Sequence, residues 1–348
     1  MSELDDYDYE LPPELIAQTP ARRRADARLL VVGRDDGSFS HRHVRDLPAL
    51  LSPGDCLVVN DSRVLPARLL GNRTHTGGVW EGLFLAMETG GAWRLLCKCR
   101  GRLAAGQSVT LRDREARDEL RLELIEKQPG GVWLARPESD RETLDLLEQF
   151  GRVPLPHYIR GGEMIESDRA RYQTVYANQP GSVAAPTAGL HFSEGLLQQL
   201  QERGVTVARV TLHIGLGTFR PISVSSLDDH EMHAEWGEAP AAAVEQIQQT
   251  RKSGGRVVAV GTTVVRVLES ASSEGTLKPW RGETRLFIRP GYEFRAVDAL
   301  MTNFHLPRST LLVLVRTFGG DATMRAAYQE AIDERYRFYS YGDAMLIT

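Results

Sequence analysis

The stretch Arg256-Val257-Val258-Ala259-Val260-Gly261-Thr262-Thr263-Val264-Val265 decides the architecture. Residues 256–260 are an apolar run of strand length, which predicts a strand covered on both faces. A helical pattern follows over 263–272. A buried strand that passes directly into a helix is the unit of an open α/β sheet, and such sheets bind ligands at the carboxyl ends of their strands. Gly261-Thr262-Thr263 therefore reads as a ligand-contacting turn or as a plain helix start with Thr at the N-cap.

The alternation continues outward from this point. Upstream, Ser193 is a plausible N-cap for a helix over 194–202 that Gly204 stops. A strand over 205–212 and a helix over 241–253 follow. Downstream, 283–288 and 311–316 read as strands and 323–334 as a C-terminal helix. Near the start, 28–32 and 56–60 read as strands and 43–51 as a short helix. The first twenty residues are acidic, contain Pro12, Pro13 and Pro20, and read as a surface segment.

Between Arg68 and Leu134 the texture differs. Short apolar stretches at 80–87, 93–97, 108–111, 120–125 and 132–134 are separated by glycine-bearing turns. This spacing predicts a small all-β barrel or sandwich. The expected fold is an α/β main domain, a mixed sheet with flanking helices, carrying an inserted small all-β barrel. The expected boundaries are 1–65 and 153–348 for the main domain and 66–152 for the insert.

The chain has 348 residues, of which 42% are hydrophobic and 25% charged. That is globular composition and excludes a disordered or collagen-like chain. The longest apolar runs, such as 310–315, are far short of the ~20 residues that cross a bilayer. No basic-then-apolar leader opens the sequence, so a cytoplasmic protein with Cys56, Cys97 and Cys99 as reduced thiols is expected, with no membrane partner. A monomer is the default. Net charge is -4, yet residues 63–112 hold eight Lys/Arg against Glu81 and Glu88. That segment is either a local basic face for a polyanion or a solvated β surface.

Several polar clusters are candidates for chemistry. Pro186-Thr187-Ala188-Gly189-Leu190-His191-Phe192 places a hydroxyl, a glycine and an imidazole before a helix N-terminus, where backbone N–H groups suit an anion. Gly215-Leu216-Gly217 follows a strand and permits close approach of a ligand, but lacks the third glycine of a dinucleotide fingerprint. His230-x-x-His233-x-Glu235 has no standard catalytic zinc spacing, and acid/base or hydrogen-bonding work suits it better. Thr302-Asn303-Phe304-His305-Leu306-Pro307 is a polar loop able to stack and hydrogen-bond a base, or to tuck against the core. Cys97-x-Cys99 is not a zinc half-site, and no metal is expected.

These motifs lie in long stretches: 7–20, 54–68, 171–176, 184–192, 212–221, 230–236, 261–263, 290–294, 302–307 and 336–347. In that order they resemble the S-adenosylmethionine:tRNA ribosyltransferase-isomerases of queuosine biosynthesis, nearly end to end. The resemblance implies an α/β domain with an inserted β-barrel. It implies transfer of the ribosyl part of S-adenosylmethionine to the aminomethyl group of a 7-deazaguanine base at the tRNA wobble position. Isomerisation then gives epoxyqueuosine, with release of adenine and methionine. S-adenosylmethionine is thus a consumed substrate, and no other cofactor is expected. Lys98-Cys99-Arg100-Gly101-Arg102 departs from the family's Lys-Pro-Ala-Lys-Arg-like stretch but stays basic. Asp61-Ser62 stands for an Asn-Thr-like pair and keeps its hydrogen-bonding capacity.

Weighed against that chemistry, His191, His213, His233 and His305 are acid/base candidates, with Glu235 as their partner or the acceptor of the amine. Methionine's carboxylate suits the N–H groups from Thr187 to Gly189, or Arg220. Gly215, Gly217, Thr262 and Thr263 are further substrate contacts. Tyr172 and Phe304 offer ring faces to a cation. Arg22, Arg23, Arg24, Lys98, Arg100 and Arg102 are the expected contacts to tRNA phosphates.

Overall fold

A computed structural model describes residues 3–215, 222, 224 and 226–348. The chain divides into two compact units. One comprises residues 1–63, 158–161 and 170–348, and the other 64–157 and 162–169.

The larger unit is built on a sheet of nine strands among the described residues. In spatial order they are Trp280–Thr284, Glu235–Ala239, Thr206–Leu212, Cys56–Asn60, Val257–Val260, Ala299–Asn303, Ala344–Ile347, Arg28–Val32 and Phe39–His43. Thr206–Leu212, Cys56–Asn60, Val257–Val260 and Ala299–Asn303 run parallel. Antiparallel neighbours flank them on both sides, so the sheet is mixed. The unbroken apolar run in Cys56–Asn60 has a simple cause. Alternate side chains feed two separate cores, Val58 on one face and Leu57 with Val59 on the other.

Helices cover both faces. Glu194–Glu202 starts at Ser193, whose hydroxyl accepts from the Leu196 N–H at 3.2 Å. Thr262–Ala271 begins directly after Val257–Val260, with Gly261 at φ +91° making the corner. That conformation favours glycine.

The smaller unit is a closed antiparallel barrel. Its strands are Arg68–Arg73, Val79–Met87, Trp93–Cys99, Val132–Pro137, Glu119–Lys127 and Ser108–Arg112 around the ring, and the last pairs back to the first. Glu119–Lys127 alternates exposed and buried residues, the signature of a strand with one wet face. Trp80 and Trp93 fill the interior. Gly82 makes room for the first, since a Cβ there would lie 2.1 Å from the Trp80 ring.

Three expectations need correction. Residues 311–316 are not a strand but lie in the helix Thr310–Gly319, capped by Ser309. The helix is buried over Leu312 to Arg316, and a short apolar run cannot distinguish a buried strand from a buried helix. The strand expected over 283–288 is Trp280–Thr284. The N-terminal segment is more than surface. It forms two 3-10 turns, Glu3–Tyr7 and Pro13–Leu15, and buries Leu4, Tyr7 and Leu15. Among the described residues no helix is long and apolar enough to cross a membrane.

Candidate active site

The carboxyl ends of the four parallel strands gather most of the polar motifs. Leu212 leads into His213 and Gly215, Asn60 into Asp61 and Ser62, Val260 into Gly261 and Thr262, and Asn303 into Phe304 and His305.

Asn60 joins three of these ends. Its Oδ1 accepts from the Ser62 N–H at 3.0 Å and the Leu212 N–H at 3.1 Å. Its Nδ2 donates to the Leu212 carbonyl at 3.0 Å and to Thr263 Oγ1 at 3.3 Å. The amide is fully used and buried. Beside it, Asp61 accepts from Thr211 Oγ1 at 2.7 Å, and burial raises its carboxyl above the usual range.

His213 follows the outermost of the four parallel strands. Its Nδ1 meets Ser62 Oγ at 2.7 Å, and its ring stacks on Trp236 with centroids 5.1 Å apart and planes 19° from parallel. A Cβ on Gly181 would lie 2.7 Å from Nε2, so only glycine leaves room for the imidazole. His213 is half-buried, and burial lowers its pKa.

Glu235 lies deeper. Its carboxylate accepts from the Gly215 N–H at 3.0 Å and pairs with Arg266, both side chains being about 5% exposed. Arg266 also donates to the carbonyls of Leu286 at 3.1 Å and Thr284 at 3.4 Å. The pair thus ties the turn after Leu212 to the helix Thr262–Ala271. Such a carboxylate is an anchor, and accepting a substrate amine would require it to exchange partners.

His191 and His305 sit behind the edge. His191 Nε2 is 3.2 Å from Asn303 Nδ2, and His305 Nε2 is 2.7 Å from Thr302 Oγ1. Burial pushes both imidazoles down to about 3, aided at His191 by Arg337 and Arg24. Both are therefore neutral at physiological pH. The cavity beside His191, lined by Arg24, Arg171, Ser340 and Tyr341, is only about 20 Å³. That is room for a water and not for a substrate.

The remaining expected site residues divide. Thr262 and Thr263 begin their helix at the edge, both buried. Thr187 and Gly189 lie in the 3-10 turn Thr187–His191, where the Gly189 N–H already bonds the Pro186 carbonyl at 2.8 Å. Gly189 makes room for Tyr176, whose Oη would be 2.2 Å from a Cβ. Phe304 is fully buried among Phe338, Tyr336 and Tyr328, and Tyr172 packs edge-on against Tyr341. Neither presents a free ring face here. His233 is exposed, and its neighbour His230 packs on Phe287. Gly217 and Arg220 lie outside the described residues. Among the described residues no group of three or more His, Cys, Asp or Glu is placed to hold a metal ion.

The basic candidates also separate. Lys98, Arg100 and Arg102 are exposed on the barrel. Arg73 holds their loop through the carbonyls of Arg100 at 3.4 Å and Arg102 at 3.3 Å. Arg22 and Arg23 are exposed. Arg24 is not free for a phosphate: its guanidinium donates to the carbonyls of Leu190, Ala170 and Gln173 at 2.7–2.9 Å.

Sequence reasoning passed over Asn60, Ser62, Trp236, Arg266 and Asn303 as site residues. A signal existed for three of them. Asn60-Asp61-Ser62 follows a buried strand just as Gly261-Thr262-Thr263 does, and the same strand-end rule applies. A lone arginine inside Val264-Val265-Arg266-Val267-Leu268 also implies a buried partner.

The neutral pair His191 and His305 makes a testable demand on stability. Their pKa values fall from 6.5 to about 3 on folding. Between those values the unfolded chain binds more protons, so this contribution is present above pH 6.5 and is lost as pH falls toward 3. Replacing both by Gln should flatten the pH dependence of urea unfolding between pH 6 and 4 by up to ~1.4 kcal/mol per pH unit for each ring. A double variant with the same pH dependence as the parent would contradict buried neutral imidazoles.

Comparison with known proteins places this geometry in a family. The family described as "Queuosine biosynthesis protein" matches residues 4–347. The S-adenosylmethionine:tRNA ribosyltransferase-isomerase of Thiobacillus denitrificans is 51% identical over 342 residues, covering 98% of this chain and 96% of that one. The protein of the same name from Natranaerobius thermophilus is 45% identical over 346 residues, 99% of each chain. The crystal structure of the S-adenosylmethionine tRNA ribosyltransferase of Thermotoga maritima is similar with a TM-score of 0.56 and 35% identity, covering 99% of this chain and 100% of that one. The matches cover nearly the whole chain, including the segments that converge on the carboxyl edge of the sheet, and the chain belongs to the queuosine biosynthesis protein family.

Proposed function

We propose that this chain is an S-adenosylmethionine:tRNA ribosyltransferase-isomerase. It transfers the ribosyl moiety of S-adenosylmethionine to the 7-aminomethyl-7-deazaguanine base at the tRNA wobble position and isomerises it. The products are epoxyqueuosine, adenine and methionine. S-adenosylmethionine is consumed, no further cofactor takes part, and the chain works as a cytoplasmic monomer. One observation carries the reading: His213, Ser62, Thr262 and Thr263 stand together at the carboxyl ends of the parallel strands of a mixed sheet, in a chain whose residues 4–347 match the family.

The sulfonium acidifies the proton beside it and supplies much of the activation. The protein's part is to position two substrates and manage protons. His213 is the half-buried histidine of the edge and the one suited to meet substrate. His191 and His305, neutral and buried, hold the loops behind it through Asn303 and Thr302. Glu235 and Arg266 fix the Gly215 turn. Lys98, Arg100 and Arg102 on the barrel, with Arg22 and Arg23, contact tRNA phosphates.

Purified protein given S-adenosylmethionine and tRNA bearing the aminomethyl-deazaguanine base should release adenine and methionine in equal amounts, and neither without that tRNA. S-adenosylhomocysteine as product would make the chain a methyltransferase. Binding of tRNA with no release would make it an RNA-binding protein. Replacing Lys98, Arg100 and Arg102 together by Ala should reduce the slope of log K against log salt for tRNA by about 2, since each phosphate contact contributes ~0.7–0.9. An unchanged slope removes this loop from the tRNA contact.

A further inference from the structure

The bond between Ser62 and His213 contains more information than proximity. Ser62 is completely buried. Its N–H is spent on Asn60 Oδ1, and its hydroxyl meets His213 Nδ1 at 2.7 Å. Among the described residues, that hydroxyl makes no other hydrogen bond. A buried O–H left without an acceptor costs about 1–3 kcal/mol. A hydroxyl proton directed at Nδ1 requires that nitrogen to be unprotonated and puts the ring proton on Nε2.

We propose that Ser62 is a positioning residue that locks His213 in the Nε2–H tautomer, so that His213 meets the substrate as a hydrogen-bond donor and not as the proton-abstracting base. This rests on the carboxyl edge being the reacting site, as argued above. An acceptor of the right kind exists in that reaction. The purine nitrogen that gains an electron pair when adenine departs is such an atom, and a fixed N–H aimed at developing charge lowers a barrier without itself losing a proton; the departing adenine anion takes its proton from solvent water.

The surroundings agree with a neutral ring. Trp236 stacks on the ring, and Gly181 closes on a ring face, where a Cβ would lie 2.7–2.8 Å from Nε2, Cδ2 and Cε1 alike. Three charged groups nearby have partners of their own. Glu235 pairs with Arg266, Asp61 accepts from Thr211, and Arg281 lies over Trp236 at 5.2 Å. Burial further favours the uncharged imidazole. The base that removes the proton beside the sulfonium is, on this reading, another group.

Two measurements test it. In the full-length chain with ¹⁵N-labelled histidine rings, and His213→Gln for assignment, the ring nitrogens of His213 should report Nε2–H with Nδ1 as acceptor. Ser62→Ala should give a mixture of tautomers, and Ser62→Thr should restore the single one. Nδ1–H in the parent chain, or a spectrum that Ser62→Ala leaves unchanged, overturns the proposal. The second measurement is the rate of adenine release. Glutamine carries an N–H near the position of Nε2, so His213→Gln should keep activity within about tenfold, whereas His213→Ala should lose on the order of 10²-fold. Ser62→Ala should lower kcat in the parent but not in the His213→Gln background, because glutamine has no tautomer to fix. Equal losses in His213→Gln and His213→Ala would identify a titrating base and sink the donor role, as would a fully active His213→Ala. A parent chain that releases no adenine defeats the proposed reaction instead, and the ring spectrum still decides the tautomer.

Discussion

One side chain connects the sheet to the chemistry. Where the strands Cys56–Asn60 and Thr206–Leu212 end, the backbone ladder has no more partners to give, and the amide of Asn60 takes over. It receives two N–H groups and serves a carbonyl and the Thr263 hydroxyl. Each of these contacts fixes the residue that precedes or forms part of the candidate site: Leu212 before His213, Ser62 beneath its ring, Thr263 in the first turn of the next helix. Leaving any of those buried groups unpaired would cost about 1–3 kcal/mol, so the three strand ends hold one arrangement. A second connection extends from it. The Ile214 N–H donates to Ser182 Oγ at 2.9 Å, and the Val183 N–H to the Ile214 carbonyl at 3.1 Å. The segment that leads into Thr187–His191 is thereby registered against the same edge.

Charge is handled differently in each layer. The deep layer contains the Glu235–Arg266 pair, which gains little over an apolar filling but is costly to break from one side. It suits an anchor that must not drift. The middle layer is neutral, with His191 and His305 held uncharged by burial. At the rim, His213 is half-exposed beside Trp236. On the proposed function, a substrate that brings its own positive sulfonium to this edge approaches a site whose inner imidazoles, His191 and His305, are uncharged, and the cost of assembling a cationic site around a cation is avoided.

Much of the architecture was legible because it follows from periodicity. The strands Arg28–Val32 and Cys56–Asn60 and the helix Glu194–Glu202 have the bounds that apolar runs and the Ser193 cap predict. The barrel was legible from its alternating strands and glycine turns. Legibility failed where local pattern carries no direction. The run 311–316 is equally apolar as strand or helix, and only its place on the sheet settles it. Ala299–Asn303 and Ala344–Ile347, short and wholly buried, gave no alternation to read. At the site, motif residues were found but their partners were not. Phe304 and Tyr172 look like ligand-stacking rings in sequence and are core rings in space. Arg24 looks like a phosphate contact and is a clamp on three backbone carbonyls. Ser62 stands at a marked strand end, but its partner His213 is 151 residues away, and no local pattern names it.

On the proposed function, S-adenosylmethionine binds at the carboxyl edge organised by Asn60. The molecule offers a rival: a cleft of about 590 Å³ beside the far end of the helix Thr262–Ala271, lined by Glu269, Trp280, Glu283, Tyr292 and Arg295. A crystal structure of the chain with S-adenosylmethionine bound decides between them. The account predicts the ligand at the edge, in contact with His213 and the Gly261–Thr263 turn. A ligand seated in the Trp280–Tyr292 cleft, with His213 untouched, would contradict it.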